Sequence, residues 1–251
     1  MALAAKGPPD VSFMLSADLL PAPANRARSY GDGAGLRQIG RVAICALLFL
    51  CAAVWSPAGA QTPVKIVALG DSLTAGLGLP EKEGFVPRLG AALAAKGVSA
   101  EVANAGVSGD TAADGLARLD WSVPDGTDAV IVELGANDML RGIKPQITRA
   151  ALEKILRRLQ DRHIGVLLCG MRAAPNLGAD FGRTFEPIYP ELAAKYGALL
   201  YPFFLDGVAA NLSLLQRDGL HPNAAGVDVI VARILPQVEQ LVARVRLTHP
   251  S

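Results

Sequence analysis

The chain has 251 residues, of which 51% are hydrophobic and 19% charged, as in an ordinary globular protein of one or two domains. Its formal charge of +1, without basic runs, gives no reason to expect nucleic acid or an anionic membrane as a partner. The sequence also contains no repeats and no Cys/His spacing typical of a metal site, so no metal is expected.

Residues 37–60 have the pattern of a secretory signal peptide. Arg37 and Arg41 precede an apolar core of about fourteen residues, and the small residues AGA follow at 58–60. The core is shorter than the roughly 20 residues that cross a membrane. We therefore expect cleavage after Ala60, an exported protein, and no stable membrane span in its mature form. The alternative is an uncleaved anchor.

Residues 1–36 are rich in Ala, Gly and Pro and show no sustained period, so they are predicted to be a poorly structured extension. Either the signal peptide has an unusually long basic region, or the start codon lies further along. After Ala60 the chain keeps one cysteine, Cys169, which excludes an internal disulfide and is expected to be a buried thiol. Residues 61–251 are predicted to form a single domain.

From residue 64 onward, short apolar runs alternate with helical patterns. The strands are predicted at 64–69, 98–104, 128–134, 164–170 and 198–203, and the helices at 84–97, 145–162, 182–196 and 223–245. Pro236 is expected to kink or split the last helix. Near-continuous apolar strands separated by helices are typical of a parallel sheet covered on both faces. The prediction is an α/β fold: a three-layer α/β/α, flavodoxin-like domain with five parallel strands.

Polar, glycine-bearing loops follow these strands, at the sheet edge where ligands bind in such folds. The first contains Ser72, within IVALGDSLTAG. Ser72 is interpreted either as the residue that caps the next helix or as a nucleophile exposed on a rigid turn. A phosphate-binding loop is disfavoured, because neither G-x-x-x-x-G-K-[ST] nor G-x-G-x-x-G follows the strand in register.

The sequence DGLHPN favours the nucleophile. His221 lies three residues after Asp218, whose carboxylate can fix one ring nitrogen and leave the other as a base for Ser72. His163, at the polar end of a helix, and His249, in the tail, are expected to be solvated.

Acyl transfer also needs donors for an oxyanion. The candidates are the backbone N–H groups of Ser72 and Gly106 and the side-chain amide of Asn137. Gly106 lies in NAGVSGDT and Asn137 in GAND. Asp110 and Asp138 are interpreted as carboxylates that brace these loops.

These blocks, GDSL, NAGVSGDT, GAND and DGLHPN, resemble in order and spacing the four blocks of the GDSL, or SGNH, hydrolase family. VELGANDMLRG and IYPELAAKYG are similar to the bacterial periplasmic multifunctional esterases of that family, which act as thioesterases, lysophospholipases and arylesterases. The resemblance covers residues 64 to about 245.

The resemblance implies that Ser72 is the nucleophile, His221 the base and Asp218 its orienting residue. It also implies that Ser72, Gly106 and Asn137 form the oxyanion hole, and that the protein is periplasmic or secreted. In this branch the loop after the fourth strand lines the acyl site. Here that loop contains four apolar candidates for substrate binding: Met171, Pro175, Leu177 and Phe185.

The expected reaction is hydrolysis of a carboxylic ester or thioester through an acyl-enzyme, without a metal or cofactor. Small-molecule or lipid esters, including acyl and aryl esters and lysophospholipids, are the expected substrates. Three alternatives remain: a carbohydrate O-acetyl esterase on the same fold, a non-catalytic ligand-binding module, and a nucleotide-binding α/β domain.

Overall fold

The computed structural model describes residues 62–248. The predicted N-terminal extension, the signal peptide and His249 lie outside the described residues. Within residues 62–248 no helix is long and apolar enough to cross a membrane.

The described chain contains one sheet of five parallel strands in the order β2-β1-β3-β4-β5. The strands are β1 (Val64–Gly70), β2 (Ala100–Gly106), β3 (Ala129–Glu133), β4 (Gly165–Cys169) and β5 (Leu199–Tyr201). This confirms the predicted flavodoxin-like fold. The predicted second strand began two residues early and ended two residues early, because β2 is an edge strand whose burial pattern is mixed.

The helices are α1 (Ser72–Ala75), α2 (Phe85–Ala95), α3 (Ala112–Ala117), α4 (Leu119–Ser122), α5 (Ala136–Leu140), α6 (Pro145–Asp161), α7 (Ala179–Phe185), α8 (Ile188–Tyr196) and α9 (Ala224–Thr248). Short 3₁₀ turns occupy Glu81–Glu83, Pro175–Leu177 and Leu212–Leu214. Helices α2 and α9 pack against each other and form one outer layer on the sheet, and α3, α6 and α8 form the other.

Two helix predictions differ from the structure. The segment predicted at 182–196 is two helices, α7 and α8, which are separated at Glu186 and Pro187. Pro236 does not split the last helix, since α9 continues through it to Thr248. The buried side chains of Ile234 and Val238 flank the proline and anchor that part of α9 in the core, which offsets the lost backbone hydrogen bond.

The core strands explain why the polar loops converge. β1 and β3 are buried almost throughout, and Gly70 at the end of β1 pairs with Gly106 of β2 and with Glu133 of β3. Three strands therefore end at the same level, and the loops that follow them share one edge of the sheet. As expected, Cys169 is buried and His163 is exposed.

Candidate active site

Ser72 is the first residue of α1, immediately after the turn that ends β1. Asp71 caps this short helix, and its Oδ1 accepts a hydrogen bond from the backbone N–H of Leu73 at 3.0 Å. Gly76 ends the helix in the left-handed region, with φ of 79°, which a glycine adopts without steric cost. Ser72 is thus held on a tight, capped turn, with 8% of its surface exposed.

Ser72, His221 and Asp218 form a continuous hydrogen-bonded chain. Ser72 Oγ lies 2.8 Å from His221 Nε2, and His221 Nδ1 lies 2.7 Å from Asp218 Oδ2. The other carboxylate oxygen of Asp218 accepts hydrogen bonds from the backbone N–H groups of Leu220 and His221. These bonds, first the one from Leu220 and then that from the His221 ring, lower the pKa of Asp218 to about 2.

The loop that carries His221 is tied to the loop that carries Ser72. The backbone N–H of Gln216 donates to the carbonyl of His221 at 2.7 Å. The side-chain amide of Gln216 donates to the carbonyl oxygens of Leu77, just after α1, and Pro222. Because one side chain bridges the two loops, the distance between serine and histidine does not depend on their own hydrogen bond alone.

Asn137, at the start of α5, lies beside this chain with both amide hydrogens engaged. Its Nδ2 donates to Asp71 Oδ2 at 3.1 Å and to the carbonyl oxygen of Asp110 at 3.0 Å. Asn137 therefore reaches an oxyanion only if that oxyanion replaces one of these two acceptors.

The structure does not bring Gly106 to the site. Its backbone N–H donates to Asn104 Oδ1 at 2.9 Å, and a Cβ added to it would lie 2.3 Å from the backbone nitrogen of Ala75. Gly106 lets β2 pack closely behind α1 and does not line the catalytic cavity. Gly109 does line it, as Ser72 does. The N–H groups of Gly109 and Ser72 make no hydrogen bond within residues 62–248.

Two acidic residues meet behind the nucleophile. Glu133 and Asp71 are both fully buried, and Glu133 Oε2 accepts hydrogen bonds from the Thr74 hydroxyl at 2.7 Å and from the backbone N–H of Asp71 at 3.4 Å. Among the described residues, Glu133 Oε1 has no partner. Burial raises the pKa of Asp71 to about 6, and burial together with the charge of Asp71 raises the pKa of Glu133 well above its usual range.

Asp110 and Asp138 brace the loops, as predicted. Asp138 is buried and accepts hydrogen bonds from the Thr148 hydroxyl and the backbone N–H of Ala112, each at 2.8 Å. Asp110 pairs with the buried Arg118 at 2.5 Å. Asp138 therefore holds backbone directly, whereas Asp110 acts through Arg118, which donates to the carbonyl oxygens of Gly70 and Ala105.

The triad opens into a cavity of about 790 Å³. Its wall is mostly apolar and includes Leu77, Met139, Leu140, Met171, Pro175 and Phe203. Met171 and Pro175 were predicted to line the acyl site, and they do lie in this wall. Leu177 and Phe185 do not line it; Phe185 is fully buried between Phe181 and Tyr189. A separate cavity of about 380 Å³ lies beside Gly165, at the opposite end of β4.

The sequence reasoning missed four residues of this region: Gly109, Glu133, Arg118 and Arg172. A glutamate inside the apolar run VIVEL, and a second glycine after β2, were the visible signals for Glu133 and Gly109. Among residues 62–248 no group of three or more His, Cys, Asp or Glu side chains could hold a metal ion.

Known proteins similar to this chain in sequence and fold are esterases and related hydrolases. The GDSL-like Lipase/Acylhydrolase family model matches residues 68–229. An arylesterase of Vibrio mimicus is 38% identical over 177 residues, covering 70% of this chain and 86% of that protein. Thioesterase 1/protease 1/lysophospholipase L1 of Escherichia coli is 35% identical over 196 residues, covering 78% and 91%. The solved structure of AlinE4, an SGNH-hydrolase family esterase, is 48% identical with a TM-score of 0.61, covering 71% and 96%.

Proposed function

The chain belongs to the GDSL-like lipase/acylhydrolase family and is a serine hydrolase of carboxylic esters or thioesters, and on that premise we propose that Ser72, His221 and Asp218 are its catalytic triad. The observation that carries the proposal is the unbroken chain of two hydrogen bonds, 2.8 and 2.7 Å, from Ser72 Oγ through the imidazole to Asp218. Both lie within the range of productive nucleophile–base contacts.

Each residue has one role in the reaction. Ser72 Oγ attacks the carbonyl carbon while His221 Nε2 takes the hydroxyl proton, and His221 then returns that proton to the leaving alcohol or thiol. Water, deprotonated by His221, then attacks the acyl carbon; the bond to Ser72 Oγ breaks, His221 returns the proton to Oγ, and the acid is released. Asp218, ionised throughout, fixes the imidazole tautomer and stabilises the imidazolium that forms.

We assign the oxyanion hole to the N–H groups of Ser72 and Gly109 with the amide of Asn137. The two backbone donors have no other acceptor in residues 62–248, whereas Gly106 donates to Asn104. The developing oxyanion takes the place of the Asp110 carbonyl as acceptor for Asn137, while Asp71 keeps the amide oriented. A donor of this kind contributes about 2.7–4 kcal/mol to the transition state.

The enzyme acts on small ester substrates, and we propose lipophilic acyl and aryl esters, acyl thioesters and lysophospholipids as the preferred class. The apolar wall of the cavity supports this choice, as do the names of the arylesterase and the thioesterase/lysophospholipase relatives. A carbohydrate O-acetyl esterase is less well supported, because Phe203 is the one Phe, Tyr or Trp among the described lining residues and offers a single face for stacking on a sugar.

We propose a periplasmic or secreted location, from the signal pattern at residues 37–60. Cell fractionation followed by N-terminal sequencing tests it. The expected mature protein begins at Gln61 and is recovered outside the cytoplasm; an intact N-terminus in the cytoplasm would contradict the proposal.

The triad is tested by intact mass spectrometry after exposure to a fluorophosphonate, which labels activated serines. Wild type should gain one adduct, mapped to Ser72; Ser72→Ala should gain none, and His221→Ala should react at least about 10³-fold more slowly. Ser108→Ala, which removes another serine of the same cavity, is the matched control and should label like wild type. Labelling of folded Ser72→Ala at the wild-type rate would refute the assignment.

A further inference from the structure

A single arginine belongs to the wall of the catalytic cavity. Arg172 follows β4 by three residues and lines the same cavity as Ser72 and His221. Its guanidinium lies over the ring of Phe203, 4.9 Å from the ring centroid, and Phe203 is also a lining residue. Among the described lining residues no other Arg or Lys is present.

Arg172 has no acceptor of its own. Within residues 62–248 it takes part in no ion pair and no hydrogen bond, although its side chain carries five N–H donors. Asp206, the carboxylate that lines the same cavity, is already paired with Arg233. The wall of this largely apolar cavity therefore carries one uncompensated positive charge.

Stacking on Phe203 leaves the edge of the guanidinium available. An aromatic face attracts the flat side of a guanidinium, and its N–H donors then point sideways. Carboxylate and phosphate groups match that edge with two parallel hydrogen bonds. Arg172 is exposed, so an anionic group can reach this edge from solvent, and added salt weakens the contact.

We propose that Arg172 forms an anion subsite of the catalytic cavity, so that this enzyme prefers esters that carry a carboxylate or phosphate group beyond the scissile bond. The inference rests on the proposed function, since it concerns the specificity of the same serine hydrolase. It adds an anionic group on the substrate to the acyl or aryl group that the mostly apolar wall favours. Arg172 and Phe203 are then specificity residues.

The test uses pairs of esters that differ in one charged group. p-Nitrophenyl hexanoate and mono-p-nitrophenyl adipate have equal chain lengths, with a methyl or a carboxylate at the far end of the acyl chain. A monoacylglycerol and the lysophosphatidic acid of the same acyl chain place a phosphate in the alcohol part instead. For each pair, the ratio of kcat/KM for the anionic ester to that for the neutral ester is measured.

The ratio should fall about two- to fivefold in Arg172→Gln, because a hydrogen bond between two charged groups is lost at an exposed position. Arg172→Lys keeps the charge without the planar fork and should give an intermediate ratio. Arg149→Gln is the matched control: it removes the same charge from α6, where Arg149 pairs with Glu191 outside the cavity, and should leave the ratio unchanged. Added salt should lower the ratio for wild type more than for Arg172→Gln.

A fall in the ratio that Arg172→Gln shows only for the adipate pair would mean that Arg172 binds an anion in the acyl part of the substrate. A fall seen only for the phosphate pair would mean that it binds an anion in the alcohol part, and either result supports the subsite. Equal ratios in wild type and Arg172→Gln for both pairs would overturn it, as would a wild-type enzyme that hydrolyses the neutral esters and not their anionic partners. Failure of wild type to hydrolyse any of the four esters would instead refute the proposed function, and the inference with it.

Discussion

Glu133, the last residue of β3, accepts a hydrogen bond from the backbone N–H of Asp71, so two buried acidic side chains meet at the turn that carries Ser72. No cation pairs with Glu133 within residues 62–248. Two adjacent buried carboxyl groups cannot both be ionised at low cost. Asp71 receives the amide of Asn137 and the N–H of Leu73, which favour its charged form, so Glu133 keeps the proton.

This arrangement predicts a pH-dependent effect of Glu133→Gln on stability. The raised pKa means that folded Glu133 holds a proton that the unfolded chain releases above about pH 4.5, so the wild-type free energy of unfolding falls as the pH rises through this range. Glutamine has no proton to lose. Urea unfolding at pH 5 and pH 8 should show the variant gaining stability relative to wild type at the higher pH.

Glu101→Gln, which changes an exposed glutamate of β2, is the matched control for that measurement. A Glu133→Gln effect that is constant between pH 5 and pH 8 would mean that Glu133 is ionised in the folded protein.

Asp218→Asn should lower kcat by about 10²–10⁴ and leave the loop folded. The asparagine oxygen can still accept the backbone hydrogen bonds of Leu220 and His221, but it loses the charge that stabilises the imidazolium. With its pKa at about 2, Asp218 stays ionised between pH 5 and 9, so its protonation does not cause any acid limb in that range. Steady-state kinetics across this range provide the measurement. Retention of more than about a tenth of kcat would mean that Asp218 stabilises the turn before His221 and does not take part in catalysis.

Phe185 and Pro175, two residues of one predicted substrate loop, should respond to mutation differently. Phe185→Ala should cost about 3–5 kcal/mol of stability, because the ring is fully buried against Phe181 and Tyr189. Pro175→Ala should cost less stability. Because Pro175 lines the cavity, this variant should change the relative rates measured on a series of p-nitrophenyl esters that runs from the acetate to the octanoate. The opposite pattern, with the acyl-chain profile altered only by Phe185→Ala, would contradict this division.

Arg118→Gln should destabilise the protein by about 3–5 kcal/mol, because it removes a buried guanidinium that pairs with the partly buried Asp110. The guanidinium also donates to the carbonyl oxygens of Gly70 and Ala105, at the ends of β1 and β2, each at 2.8 Å. Arg158→Gln is the control, since its pair with Asp120 is exposed and should contribute less than about 1 kcal/mol. Urea unfolding of the two variants gives the comparison, and equal losses would show that the burial of Arg118 contributes nothing.

The sequence was sufficient to predict five parallel strands and to place Ser72, Asp218 and His221 at one edge of the sheet. The strands are strongly periodic or apolar, and parallel strands leave their following loops at a common edge. Asp218 and His221 are three residues apart and contact each other within one turn, so their contact could be predicted without knowledge of the tertiary structure. The assignments of these three residues as catalytic remain predictions until the labelling experiment is done.

Other features depend on packing that a linear pattern does not record. Gly106, the last residue of β2, and Gly109, in the loop after it, both belong to NAGVSGDT, and only the contact of β2 with α1 determines which of them faces the cavity. Whether Phe185 faces the core or the cavity depends on the break between α7 and α8 near Pro187. Asp71, whose backbone N–H donates to Glu133, is 62 residues away from it in the sequence, so no local motif indicates that the two side chains meet.

Ser72 and His221 are hydrogen-bonded across 149 positions of the chain, and α9, which follows His221 directly, packs against α2 and the sheet. On the proposed triad, a chain that is still emerging from the ribosome lacks the base for Ser72 until His221 has been synthesised and placed beside it. Contacts between such distant segments are among the last to form. On the proposed triad, hydrolysis therefore requires that the segment carrying His221 has folded against the segment carrying Ser72.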